Sequence, residues 1–117
     1  MLLTIADREV ETKCGVRFIR ELDKRFKLDA GGVKFGFGLN QAAFYIEQKN
    51  PSILVDLIEC STRTAKPFKP TTEQIEDFID EQEDCDWLFK NFKKELEESN
   101  TTKKLFGQIM AEMKSNN

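Results

Sequence analysis

The residues best placed to do chemistry in this sequence lie between Gly31 and Gly38, read GGVKFGFG. Glycine-rich loops cradle phosphates when the chain runs strand, loop, Lys-Ser/Thr, helix. Here Lys34 sits inside the loop, and no Lys-Ser/Thr pair follows Gly38. No βαβ unit is readable around it, so a dinucleotide fingerprint fails as well. What remains is Phe35 and Phe37, held among glycines. Glycine permits φ > 0 and close backbone approach at low steric cost, and phenylalanine has no polar handle. Such side chains either plug their own core or anchor a protein partner.

Other chemistries find less material. There is no histidine, which removes the commonest general base and the commonest transition-metal ligand. Cys14, Cys60 and Cys85 are odd in number, far apart and form no C-x-x-C pair, so a zinc ribbon or thioredoxin-like motif is excluded. Free thiols suit a reducing compartment. The acidic tract from Glu73 to Asp86 contains no Lys or Arg and no glycine. A calcium loop needs alternating oxygen ligands around a fixed glycine, so the tract reads as a solvated helix face or an electrostatic docking face for a basic partner. Arg17, Arg20, Lys24, Arg25 and Lys27 partly resemble a DNA recognition helix. Glu21 and Asp23 interrupt that field, and snorkelling side chains on an amphipathic helix explain it as well. Methionines Met110 and Met113, beside Leu105 and Ile109, make a stripe that serves either a core or an adaptable interface. The candidate partner-binding residues are therefore Phe35, Phe37, Met110 and Met113. No catalytic, cofactor-binding or metal-binding residue is identified, and no cofactor is expected.

The elements that must position these residues are mostly helical. A chain of 117 residues is expected to form a single domain, residues 1–117. A net charge of -3 argues mildly against a dedicated nucleic-acid binder. No apolar run approaches the ~20 residues of a membrane span, and the N-terminus lacks the basic region of a signal peptide. The aromatic set is almost wholly phenylalanine, which favours dry packing. Leu2–Ile5 and Glu9–Lys13 flank a turn at Ala6-Asp7-Arg8 and read as a β-hairpin. From Val16 the period becomes helical, with Val16, Ile19, Leu22 and Phe26 as the stripe, until Asp29-Ala30-Gly31-Gly32 stops it. The Gly/Phe segment then reads as a flexible joint. A second helix runs over roughly residues 39–49. Asn50-Pro51 caps a third, with Ile53, Leu54, Leu57 and Ile58 buried, fading near Ser61-Thr62. Lys66–Pro70 is a proline-bounded connector and candidate hinge. Thr71 with Gln74 has capping-box spacing and opens a fourth helix carrying Ile75, Phe78 and Ile79. A fifth, about Asp84–Glu98, carries Trp87, Leu88, Phe92 and Leu96. A last, about Thr102–Lys114, presents Leu105, Phe106, Ile109, Met110 and Met113. The expected fold is mainly α (α+β): an N-terminal β-hairpin followed by a compact bundle of five to six short helices.

The order of these features is more specific than any one of them. A Leu-x-Ile and Val-x-x-Lys hairpin precedes Gly15-Val16-Arg17-Phe18-Ile19-Arg20-Glu21-Leu22-Asp23. Gly36-Phe37-Gly38-Leu39 follows, then Asn50-Pro51-Ser52-Ile53-Leu54-Val55-Asp56-Leu57-Ile58. A Thr-Thr-Glu-Gln-Ile helix start and Thr102-Lys103-Lys104-Leu105 complete the set. Over nearly its whole length the chain resembles the tail assembly chaperones of long-tailed phages and prophages of Gram-positive bacteria. The resemblance implies a non-catalytic protein of the host cytoplasm, absent from the mature virion. It implies binding to the tape measure protein and recruitment of tail tube protein during tube polymerisation. It also implies self-association and a longer form made by ribosomal frameshifting, which a slippery run at Lys103-Lys104 would place upstream of Leu105. No nucleic-acid or membrane partner is implied. The alternatives from other classes are a small DNA-binding regulator and a generic protein-interaction domain.

Overall fold

The computed structural model describes residues 1–115, apart from the side chains of Lys34 and Phe35. In chain order it contains β1 (Leu2–Ile5), β2 (Arg8–Glu11), α1 (Val16–Arg25), β3 (Lys27–Ala30), β4 (Val33–Gly36), α2 (Gly38–Glu47), α3 (Ser52–Ser61), α4 (Thr72–Asp80), α5 (Asp86–Glu98) and α6 (Lys103–Ser115). The expected N-terminal hairpin and helical body are both present.

Period-two patterning builds the first hairpin. β1 and β2 pair antiparallel from Leu2↔Glu11 to Ile5↔Arg8. Ala6 and Asp7 turn the chain with φ of 52° and 62°, the positive pair that a two-residue type I′ turn requires. Leu3, Ile5 and Val10 face inward and are buried, while Leu2 and Thr4 face solvent. A lone hairpin is marginal in water, and this one is fastened at its exit. Lys13 N–H donates to Ser61 O at 2.8 Å. The hydroxyls of Ser99 and Thr101 both donate to Cys14 O, at 2.9 and 2.8 Å.

α3 is the axis of the body. Ile53, Leu54, Leu57 and Ile58 are fully buried, because α1, α2, α4 and α5 all pack around this helix. Its start is fixed by Asn50 Oδ1, which accepts from the Ser52 N–H at 3.1 Å. α4 begins with the expected capping box: the Gln74 N–H donates to Thr71 Oγ1, and the Thr71 N–H donates to Gln74 Oε1. The proline connector is less free than a hinge. Its Phe68 is half-buried beneath the Arg8 guanidinium, 4.5 Å from the ring centroid, and Pro70 is buried.

The segment expected as a flexible joint is a second hairpin. β3 and β4 pair antiparallel from Lys27↔Gly36 to Ala30↔Val33. Gly31 and Gly32 form the turn with φ of 61° and 83°, again the two-residue type I′ geometry. Lys27, expected on the first helix, instead opens β3. A strand does precede the glycines, but it returns antiparallel and makes no phosphate cradle. Gly36 and Gly38 act differently. A Cβ at Gly36 would lie 2.5 Å from the Asp23 side chain, and one at Gly38 would lie 2.5 Å from Leu22 Cβ. Absent side chains let the hairpin base close onto α1, where the Gly38 N–H donates to Asp23 Oδ1 at 2.9 Å.

Candidate functional site

α2 is held by a stripe at helical spacing: Leu39, Ala42, Ala43 and Ile46 are buried. Phe44 lies off that stripe and is 48% exposed. An aromatic ring off the core-facing side of a helix either pairs with something or waits for it. Here it flanks a groove of about 280 Å³ between the start of α2 and the second half of α6, lined by Phe37, Asn40, Gln41, Phe44, Ile109, Glu112 and Met113. The α2 wall carries two phenyl rings, and the α6 wall carries an isoleucine and a methionine. Asn40, Gln41 and Glu112 are the groove's polar lining residues.

α6 can form this wall because it is anchored from beneath. Phe106 and Ile109 are buried against α5 and α2. Thr102, also buried, donates its hydroxyl to Leu96 O at 2.9 Å and fixes the entry of the helix. Methionine supplies a polarizable, rotatable surface suited to partners of varying shape.

The predicted partner-binding residues divide accordingly. Phe37 and Met113 meet in the groove although they are 76 positions apart in sequence. Met110 is half-buried and packs on the core beside the groove. The Phe35 side chain lies outside the described residues, and its backbone sits in β4 opposite Leu28. The sequence reading missed Phe44 and Asn40. The signal for Phe44 was its place off the Leu39-Ala42-Ala43-Ile46 stripe. Three residues read on the apolar stripes of their helices turn outward. Val16, Trp87 and Leu105 are 60%, 40% and 46% exposed, because each lies at the margin of its helix's buried stripe. Trp87 is not idle: its Nε1–H donates to Gln82 Oε1 at 3.2 Å, and its ring meets Phe78 edge-on.

The charged constellations are absorbed by the fold. Glu21 is buried and receives Arg17 at 3.0 Å, Lys24 at 3.4 Å and Arg63 at 3.6 Å. The Arg17 hydrogen bond outweighs burial and, with Lys24 and Arg63, holds its carboxyl below the usual range. Arg25 bridges from α1 to Asp56 and Glu59 on α3. Burial alone would raise Glu59, but the Thr72 hydroxyl and Arg25 lower it. Arg17, Lys24 and Arg25 of the basic first helix are thus engaged in ion pairs within the molecule, although only Arg25 is part-buried, which weakens the DNA-binding alternative. The acidic side chains of the tract from Glu73 to Asp86 face solvent. Glu76, Asp77 and Asp80 join Asp56 along an open cleft of about 720 Å³ between α3 and α4. Among the described residues, no group of three or more Cys, Asp or Glu is placed to hold a metal ion.

Cys14 and Cys60 lie where the thiolate is disfavoured. Burial pushes the Cys14 thiol up, with the Glu95 carboxylate adding to the shift. Burial also pushes Cys60 up to about 12. A nucleophilic cysteine needs the opposite shift.

Compared with known families, the sequence model of the phage tail assembly chaperone protein, TAC, matches residues 2–111. The chain belongs to this family. No curated protein and no solved structure matches it. The family match runs through every element of this chaperone from β1 into α6. It includes Phe37, Phe44 and Ile109 and ends just before Glu112 and Met113. No helix among the described residues is long and apolar enough to cross a membrane.

Proposed function

We propose that this chaperone is non-catalytic and acts by holding an apolar segment of the tape measure protein in the α2/α6 groove while tail tube protein is recruited. One observation carries the reading: Phe37, Phe44, Ile109 and Met113 converge from distant parts of the sequence into an apolar groove open to solvent. Aromatic anchors in such grooves supply most of the affinity of helix-in-groove recognition. The family supplies the biological setting. A second copy of the chain, and a longer frameshifted form, are further partners in this reading. It acts in the host cytoplasm and is absent from the finished virion. A frameshift at Lys103-Lys104 would exchange α6 for another sequence, removing Phe106 from the core and Ile109 and Met113 from the groove.

The test is co-purification of the tape measure protein with wild type and with Phe44→Ala/Met113→Ala. Each of these side chains is at least partly exposed, so the double variant keeps its helical spectrum. The expected result is a loss of at least about tenfold in client binding, since hot-spot truncations cost about 1–2 kcal/mol or more each. Wild-type binding by the folded double variant rules out the groove, and no binding by wild type rules out the client.

A further inference from the structure

The second hairpin leaves one strand edge open. β4 packs on α1 at its base, whereas all of Lys27, Leu28, Asp29 and Ala30 in β3 are exposed. The two-residue turn makes Ala30 and Val33 a hydrogen-bonded pair. Alternation then assigns the inward-facing backbone groups to Phe26, Leu28 and Ala30. The Phe37 N–H donating to Phe26 O at 2.8 Å confirms that parity. The N–H and C=O groups of Lys27 and Asp29 therefore point away from β4, toward solvent.

We propose that this edge pairs with the same edge of a second copy, antiparallel about a two-fold axis at Leu28. The register follows from the sequence. With Leu28 opposite its own copy, each Lys27 stands opposite an Asp29, at the position where outward backbone groups exchange both bonds. That gives four backbone hydrogen bonds and two complementary charge pairs across the dyad. Natural proteins protect open edges with charge, especially lysine. Here the two charges are of opposite sign and two residues apart, so the edge attracts its own copy where like charges would repel it. The apolar face agrees. Leu28 and Val33, 47% and 55% exposed, fall on one side of the hairpin by alternation and would be covered in part by their counterparts in a four-stranded sheet. The interface deepens the self-association in the function proposed above, and it stands on the strand edge, independent of the groove.

Sedimentation velocity over a concentration series, at low and high salt, reads the outcome on the full chain. Wild type is expected to dimerise, more weakly at high salt. Asp29→Lys places two lysines opposite each other twice and is expected to weaken the dimer by about tenfold or more. The swap Lys27→Asp/Asp29→Lys restores opposite charges and is expected to restore the dimer. Hydrogen exchange supplies a second readout: the amides of Lys27 and Asp29 gain protection with concentration. A wild-type chain that stays monomeric, a dimer indifferent to Asp29→Lys, or a loss that the swap fails to rescue each overturns the pairing. The pairing is also overturned if a dimer forms without protection at Lys27 and Asp29. Client co-purification run in parallel keeps the two proposals apart, since Asp29→Lys leaves the groove intact.

Discussion

Two glycines with opposite surroundings test the local argument at the scale of single residues. At Gly38 any Cβ would press into Leu22 and the adjoining backbone of α1, so Gly38→Ala is an overpacking change. It is expected to lower stability by about 2 kcal/mol. Gly107 sits on the exposed side of α6, with nothing within 4 Å of where a Cβ would stand. There Gly107→Ala is expected to add about 0.5–1 kcal/mol, the ordinary difference in helix propensity. Urea denaturation of the two variants reads both signs at once. If Gly38→Ala is neutral, the close approach of hairpin base and helix is wrong. Composition and pattern could not separate the two, because a glycine's role is set by what lies opposite it in space. The same limit applies to Phe44. Its position off a stripe was readable, but the α6 wall facing it was not.

Among the elements, those with a complete local signal were legible in the sequence. The capping box of α4 is one. Thr71→Ala removes the acceptor for the Gln74 N–H and is expected to cost about 1 kcal/mol, measurable as a lower urea midpoint with unchanged slope. The apolar stripe of α3 was equally plain, since all four of its residues lie on one side at helical spacing. β3 and β4 were not legible, for two reasons. Phe26 continues the helical spacing of Val16, Ile19 and Leu22, which carries the first helix too far. Asp29-Ala30-Gly31-Gly32 is also a good helix stop, so the turn that joins two strands passed for the end of a helix. Short, exposed strands have no alternation of burial to reveal them: β3 is solvent-facing at all four positions. The groove was legible by half, in Phe37 and Met113, because sequence can nominate apolar residues but cannot bring two helices together.

Viewed whole, the molecule couples its helices through carboxylates held in the charged form. Glu21 joins α1 to Arg63 beyond α3, and Glu59 joins α3 to Arg25 of α1 and Thr72 of α4. Both carboxyls are lowered in the folded state, so the folded chain binds these protons less readily than the unfolded chain. Their contribution is full above the unfolded pKa of about 4.3 and is lost as pH falls through the lowered folded values. Stability is thus expected to drop between about pH 5 and about pH 3. Glu21→Gln should flatten that drop while costing stability near neutrality. Urea midpoints across the range check it, and an acid dependence unchanged by Glu21→Gln would show that Glu21 plays no part. The placement of α6 has a consequence in time. Between the end of β4 and the start of α6 lie 66 residues, roughly 3 to 13 s of synthesis at 5–20 residues per second. If the edge pairs and the groove binds as proposed, a nascent chain would expose its β3 edge before the groove is complete, and chains on one message would have an interval in which to meet before any of them could hold a client.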